Sequence, residues 1–201
     1  FYPVTPDMTE EYAKVQDRRQ KLFGNDQPEF VLLYNARNIR RKSVPDLIAA
    51  YTQFCDSIGR EKAKKCALLM HTQPLDENGT DLPAVVNLLC NPEYQRVVFS
   101  DERFSTQDMN ILYNCADGVA LVSSNEGWGL SLTEGMMCGK PFIATVTGGM
   151  QDQMRFVDES GKWIDFNENF CSDHFGTYKE HGSWAFPVYP SNMSLVGSIP
   201  T

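Results

Sequence analysis

The chain has 201 residues, with 18 Lys plus Arg against 26 Asp plus Glu, and a formal charge of −8. An acidic chain without a basic block argues against nonspecific nucleic-acid binding, and no apolar run approaches the roughly 18–20 residues of a membrane span. Apolar residues at 42% and charged residues at 22%, with 14 Gly and 11 Pro, are the composition of a globular chain long enough to bury a core.

Phe1-Tyr2-Pro3-Val4 carries neither an initiator Met nor a signal-peptide pattern, so the chain reads as a piece of a longer one. Residues 1–28 are polar and charged and read as an interdomain linker with a lead-in helix from Glu10 to Lys21. The rest, 29–201, reads as one domain. It opens on the apolar run from Phe30 to Tyr34, bounded by Pro28 and Asn35, which fits a buried parallel strand. Ser43 is expected to cap a helix, with Asp46 three residues on. Leu47, Tyr51, Phe54 and Ile58 follow at helical spacing and Gly59 ends the run.

The alternation then repeats. A second strand runs from Cys66 to Met70. A helix from Leu82 to Cys90 stops at Asn91-Pro92. A third strand covers Val97 to Phe99, and Ser105 caps a helix carrying Met109, Leu112 and Ala116. The fourth strand is Gly118 to Val122, followed by a helix from Leu130 to Cys138 closed by Gly139. The fifth strand is Phe142 to Thr145. This pattern predicts an α/β fold, a Rossmann-like doubly wound parallel sheet with helices on both faces. The expected strand order is 3-2-1-4-5, with a ligand at the carboxyl ends of the strands. After Gly149 the period breaks down. Residues 160–201 read as an irregular C-terminal extension, ordered because Trp163, Phe166, Trp184, Phe186 and Tyr189 call for burial.

Six Cys, at 55, 66, 90, 115, 138 and 171, form no C-x-x-C pair and read as the reduced core cysteines of a cytosolic protein. His71, His174 and His181 lack zinc-ligand spacing to them. Asn78-Gly79-Thr80 and Asn192-Met193-Ser194 match a glycosylation sequon and, without a secretory signal, read as chance.

Chemistry concentrates between Ser123 and Gly149. Ser123-Ser-Asn-Glu126-Gly127-Trp128-Gly129-Leu130 leaves a strand end, makes a glycine-containing loop and enters a helix. A helix N-terminus offers N–H groups and partial positive charge to a diphosphate without a metal. Glu126, in the loop, can accept from hydroxyls beyond the phosphates, and Glu134, in the second turn, can grip a vicinal diol. Sugar, diphosphate and ribose in that order describe a nucleotide sugar. The bland reading is a tight strand-to-helix turn with two solvated carboxylates. A dinucleotide fingerprint does not fit, because Leu132 stands where its third Gly belongs and the loop follows the fourth strand.

The run from Ser123 to Leu130, Glu134, Cys138-Gly139-Lys140-Pro141-Phe-Ile-Ala-Thr145 and Gly148-Gly149 resembles the donor half of glycosyltransferase family 4. The E-x7-E spacing from Glu126 to Glu134, the preceding Leu112-Tyr113-Asn-Cys-Ala116-Asp117, and Asn35-Ala-Arg37 with Arg41-Lys42 carry the same resemblance, which extends from about Phe30 to Gly149. It implies one half of a GT-B fold, with 29–201 as the nucleotide-sugar domain of a retaining hexosyltransferase. The acceptor domain would precede Phe1 and a crossing helix would lie beyond Thr201. It further implies a GDP- or UDP-sugar donor, a glycan or other hydroxyl acceptor, no cofactor and no metal, in keeping with the lack of a D-x-D. Membrane association would come only through the missing domain.

By the same resemblance, Arg37 and Lys42 neutralise the leaving diphosphate, with Arg40 or Arg41 as alternates. Glu126 meets sugar hydroxyls beside the backbone of Gly127, Trp128, Gly129 and Leu130. Glu134 binds the ribose, and Phe99 and Ser100 line the base pocket. His71 reads either as a donor contact or as a satisfied loop histidine. Two other classes stay open: a different GT-B enzyme such as a nucleotide-sugar epimerase, and a noncatalytic nucleotide-sugar binding module.

Overall fold

The computed structural model describes residues 1–164 and 177–191. The apolar runs become β1 (Phe30–Asn35), β2 (Cys66–His71), β3 (Arg96–Ser100), β4 (Gly118–Leu121) and β5 (Phe142–Thr145). A further strand, β6 (Ala185–Val188), completes a parallel sheet in the order β3-β2-β1-β4-β5-β6. Central strands such as β1 and β2 are apolar without alternation because both faces are covered; Val31, Leu33, Leu68 and Leu69 are fully buried. Asp117 sets the β1–β4 register. Its carboxylate accepts from Val31 N at 2.8 Å, and its own N–H donates to Val31 O at 2.9 Å.

The helices are α1 (Thr9–Phe23), α2 (Val44–Ile58), α3 (Arg60–Ala63), α4 (Leu82–Leu89), α5 (Thr106–Asn114), α6 (Leu130–Met137) and α7 (Gly148–Met154). Packing divides the longer ones into two layers, α2 with α4 on one side and α1, α5, α6 and α7 on the other. This is the expected Rossmann-like, doubly wound arrangement, with helices on both faces. Residues 1–28, read as a linker, pack onto the sheet domain. Val15 and Phe23 are buried, Arg19 donates to Cys115 O and Pro28 O at 2.6 Å each, and Tyr2 N donates to Asn110 Oδ1 at 2.8 Å.

Three expectations need correction. Ser43 does not cap α2: it is left-handed at φ 50, follows the 3-10 turn Arg40–Lys42, and makes no side-chain cap bond. Pro45 in the first turn supplies the helical φ instead. The expected break after Gly149 is helix α7, and the expected irregular extension holds β6, whose four residues include Pro187, tolerable on an edge strand. Trp163, Trp184 and Phe186, expected to be buried, are 42%, 40% and 55% exposed. The Arg155 guanidinium lies 3.6 Å from the Trp163 ring centroid, and Trp184 Nε1 donates to Gln153 O at 3.1 Å. Phe166, Cys171, His174 and the Asn192 sequon lie outside the described residues.

Cys55, Cys66, Cys115 and Cys138 are free and buried, and Cys90 is free and half-buried. No helix among the described residues is long and apolar enough to cross a membrane. Alongside α2, the sheet face of β4 to β6 opens into an apolar groove of about 760 Å³ lined by Tyr51, Phe54, Val122, Ile143 and Val188 among others.

Candidate functional site

Register brings the strand ends together: Asn35 of β1 lies beside His71 of β2, and His71 beside Ser100 of β3. The loops after β1 and β4 meet at the same edge, because β1 and β4 are neighbours while their outgoing connections lead to opposite layers. Backbone contacts fix the meeting. Ser124 N donates to Arg41 O at 2.8 Å, and Arg41 Nη1 donates to Asn125 O at 2.7 Å.

Lys42 and Glu126 are both buried, at 9% and 8% exposure, and their charged ends are paired. Arg41 Nη1 adds a second cation 2.9 Å from the same Glu126 oxygen. Burial by itself would raise the Glu126 carboxyl, but hydrogen bonds and charge from Lys42, with help from Arg41, hold it below its ordinary value. One carboxylate thus stands between two cations at the switch point, ringed by the Gly127–Gly129 turn. Gly129 has φ 85, which admits glycine readily, and α6 begins after it with no side-chain cap. By contrast, Asp81 caps α4 and Ser105 caps α5, the latter as expected.

A second glycine turn holds this loop from below. A Cβ on Gly148 or Gly149 would collide with the Glu126 or Gly127 carbonyl oxygen, so the β5–α7 turn can approach only as glycine. Gln153 of α7 donates to Trp128 O at 2.5 Å and accepts from Thr133 Oγ1 at 2.9 Å. Thr133 Oγ1 in turn accepts from Trp128 Nε1 at 2.8 Å. The Trp128 ring remains 45% exposed and Leu130 69% exposed.

Arg37 is not brought to the Glu126 loop. It forms a two-point pair with Asp76 of the β2–α4 loop, Nε at 2.7 Å and Nη2 at 3.1 Å. Asp76 is nearly buried and Arg37 largely exposed. Of the basic residues after β1, Arg41 and Lys42 therefore reach Glu126, and Arg37 stands at the mouth. A cavity of about 490 Å³ lies there, lined by Arg37, Ile39, Arg40, Arg41, Glu77 and Asn78. Asn38 ties the two loops together, donating to Pro74 O at 3.2 Å and Thr80 O at 2.7 Å.

Glu134 lies on α6 and accepts a 2.6 Å hydrogen bond from the Tyr113 hydroxyl, which in turn accepts from Asn35 Nδ2 at 2.8 Å. His71 Nδ1 lies 3.2 Å from Ser100 Oγ, and its ring stacks on Phe104 at 5.0 Å. Burial lowers the His71 pKa. Phe99 is half-buried and Ser100 buried beside it. Sequence reasoning gave no role to Asp76, Asn38, Gln153, Tyr113 or Asn35. The last two stand inside the motifs around Arg37 and Asp117, but their partners are distant in sequence. Among the described residues no group of three or more His, Cys, Asp or Glu is placed to hold a metal ion.

The fold has known counterparts. The C-terminal domain of a glycosyl transferase group 1 family protein (LpcC) from Francisella tularensis superposes with TM-score 0.56 at 18% identity, covering 87% of this chain and 80% of that one. Sucrose-phosphate synthase from Thermosynechococcus elongatus matches with TM-score 0.52 at 27% identity, over 77% of this chain and 34% of that one. HepE from Anabaena, solved in complex with UDP and glucose, matches with TM-score 0.55 at 22% identity, over 75% of this chain and 36% of that one. The chain thus spans about a third of the latter two proteins. A search of curated protein sequences gives no match. The family model for glycosyl transferases group 1 matches residues 15–169, well over half of the sequence, and the chain belongs to that family.

Proposed function

We propose that this chain is the donor-binding half of a retaining, family 4 glycosyltransferase that moves a sugar from a GDP- or UDP-sugar to a glycan or similar acceptor, in the cytoplasm and without a metal. The observation that carries this reading is the pair of cations, Arg41 and Lys42, held on Glu126 at the β1–β4 switch point in front of the uncapped α6 N-terminus. A diphosphate entering there competes with Glu126 for the same two cations and gains the helix N–H groups as well. Displaced from them, the Glu126 carboxylate becomes an acceptor for donor-sugar hydroxyls. Lys42 and Arg41 then stabilise charge on the leaving diphosphate, and Arg37 contributes from the mouth. Glu134 takes the ribose diol, and Phe99, Ser100 and His71 border the base. The HepE structure with UDP and glucose supports a nucleotide-sugar ligand for this fold.

The test is calorimetric titration with UDP and GDP in the presence of EDTA. One of them binds, and Lys42→Ala weakens it by about 1.5–3 kcal/mol, the range for a hydrogen bond to a charged group. Unchanged affinity in both Lys42→Ala and Arg41→Ala would overturn the phosphate assignment.

A further inference from the structure

Two hydrogen bonds join three elements at the carboxyl end of β1. Asn35 Nδ2 donates to Tyr113 Oη at 2.8 Å, and the Tyr113 O–H donates to Glu134 Oε2 at 2.6 Å. The direction is fixed by chemistry. A carboxylate only accepts and an amide NH2 only donates, so the phenol between them receives from Asn35 and gives to Glu134. An O–H···O⁻ bond of this length belongs to the strong, charge-assisted class. Tyr113 is fully buried on α5, and its ring meets the Phe1 ring at right angles with centroids 5.5 Å apart, so packing holds the phenol in place. Glu134 Oε1, in contrast, meets no donor among the described residues.

We propose that Tyr113, oriented by Asn35, is a positioning residue for the donor ribose: it locks one oxygen of Glu134 and leaves the other as the acceptor for a vicinal diol. The inference rests on the ribose role of Glu134 in the proposed function and adds the device that prepares it. A free glutamate side chain loses rotamer freedom when it grips a ligand. Here that freedom is already removed, so the diol meets a fixed acceptor, and the gain in affinity is one of preorganisation.

The experiment compares UDP and GDP with their 2′,3′-dideoxy analogues by calorimetry, for the wild-type chain, Glu134→Ala, Tyr113→Phe and Asn35→Asp. Tyr113→Phe conserves volume and keeps the ring packing. It is expected to weaken the ribonucleotide about 5–10-fold, the size of one ordinary net hydrogen bond, and to leave the dideoxy analogue unchanged. Its effect disappears in the Glu134→Ala background. A merely structural role would weaken both nucleotides alike. Should Tyr113→Phe not fold, Asn35→Asp carries the comparison, because an acceptor at that position draws the phenol O–H away from Glu134 and the same ribose-selective loss follows. If Glu134→Ala is ribose-selective while Tyr113→Phe and Asn35→Asp are not, the inference fails and the proposed function stands. If the wild-type chain binds ribo and dideoxy forms equally, or binds neither nucleotide, the ribose role of Glu134 fails and the inference goes with it.

Discussion

Lys42 and Glu126 are the residues on which stability and function meet. A buried pair is poor evidence of net stabilisation, since desolvation offsets much of the attraction, but removing one partner strands the other. Lys42→Met removes one of the two cations on Glu126, and is expected to cost up to about 3–5 kcal/mol in urea unfolding. Adding Glu126→Gln to it should recover part of the loss. The carboxyl has a sign to check as well. Its folded pKa lies below the ordinary 4.5, so its contribution is complete above that value and fades as pH falls through the folded pKa. As pH falls below the ordinary 4.5 the wild-type chain should therefore lose more stability than Glu126→Gln, and parallel acid-unfolding curves for the two would refute the pairing.

Among the elements, the paired turns at the sheet edge decide whether a site exists at all. Glu126 can face Lys42 only because the β4–α6 loop is pressed between Arg41 above and the Gly148-Gly149 turn below. Gly148→Ala puts a methyl into the Glu126 carbonyl at a residue with φ 49. The expected cost is about 1–3 kcal/mol from overpacking, with nucleotide affinity falling further than stability alone explains. Gly161→Ala is the control: it shares positive φ, at 78, but a Cβ there meets nothing within 4 Å. Equal loss of nucleotide affinity in the two variants would show that backbone strain, not the contact with Glu126, is what matters.

At the scale of the whole molecule, the six parallel strands among the described residues make one sheet and one layered unit. Sugar transfer requires donor and acceptor held in contact, and such positioning is worth up to about 7–11 kcal/mol of barrier. These 201 residues are therefore expected to bind nucleotide yet show no sustained transfer to an acceptor in a radiolabelled-sugar assay. Turnover at an ordinary enzymatic rate would mean that both substrate sites are built within this unit.

The sequence by itself determined the alternation of strands and helices, from which the common doubly wound order through β5 was expected, and the loop on which Glu126 sits. Each is written in short-range terms: apolar runs of strand length, glycines at turns, and a fixed spacing between two glutamates. It did not determine β6 or α7, because a four-residue edge strand containing Pro187 and a seven-residue helix opening on Gly148-Gly149 carry too little local signal. Nor did it determine partners. Arg37, Arg41 and Lys42 are equivalent as text, and only packing sends Arg37 to Asp76 and the other two to Glu126. The part-buried link from Asn35 through Tyr113 to Glu134 spans 78 and 21 positions of chain. Such pairs are chosen by which strand ends and helix faces the fold brings within 3 Å, since a buried polar group must find its hydrogen bond wherever the tertiary structure puts one.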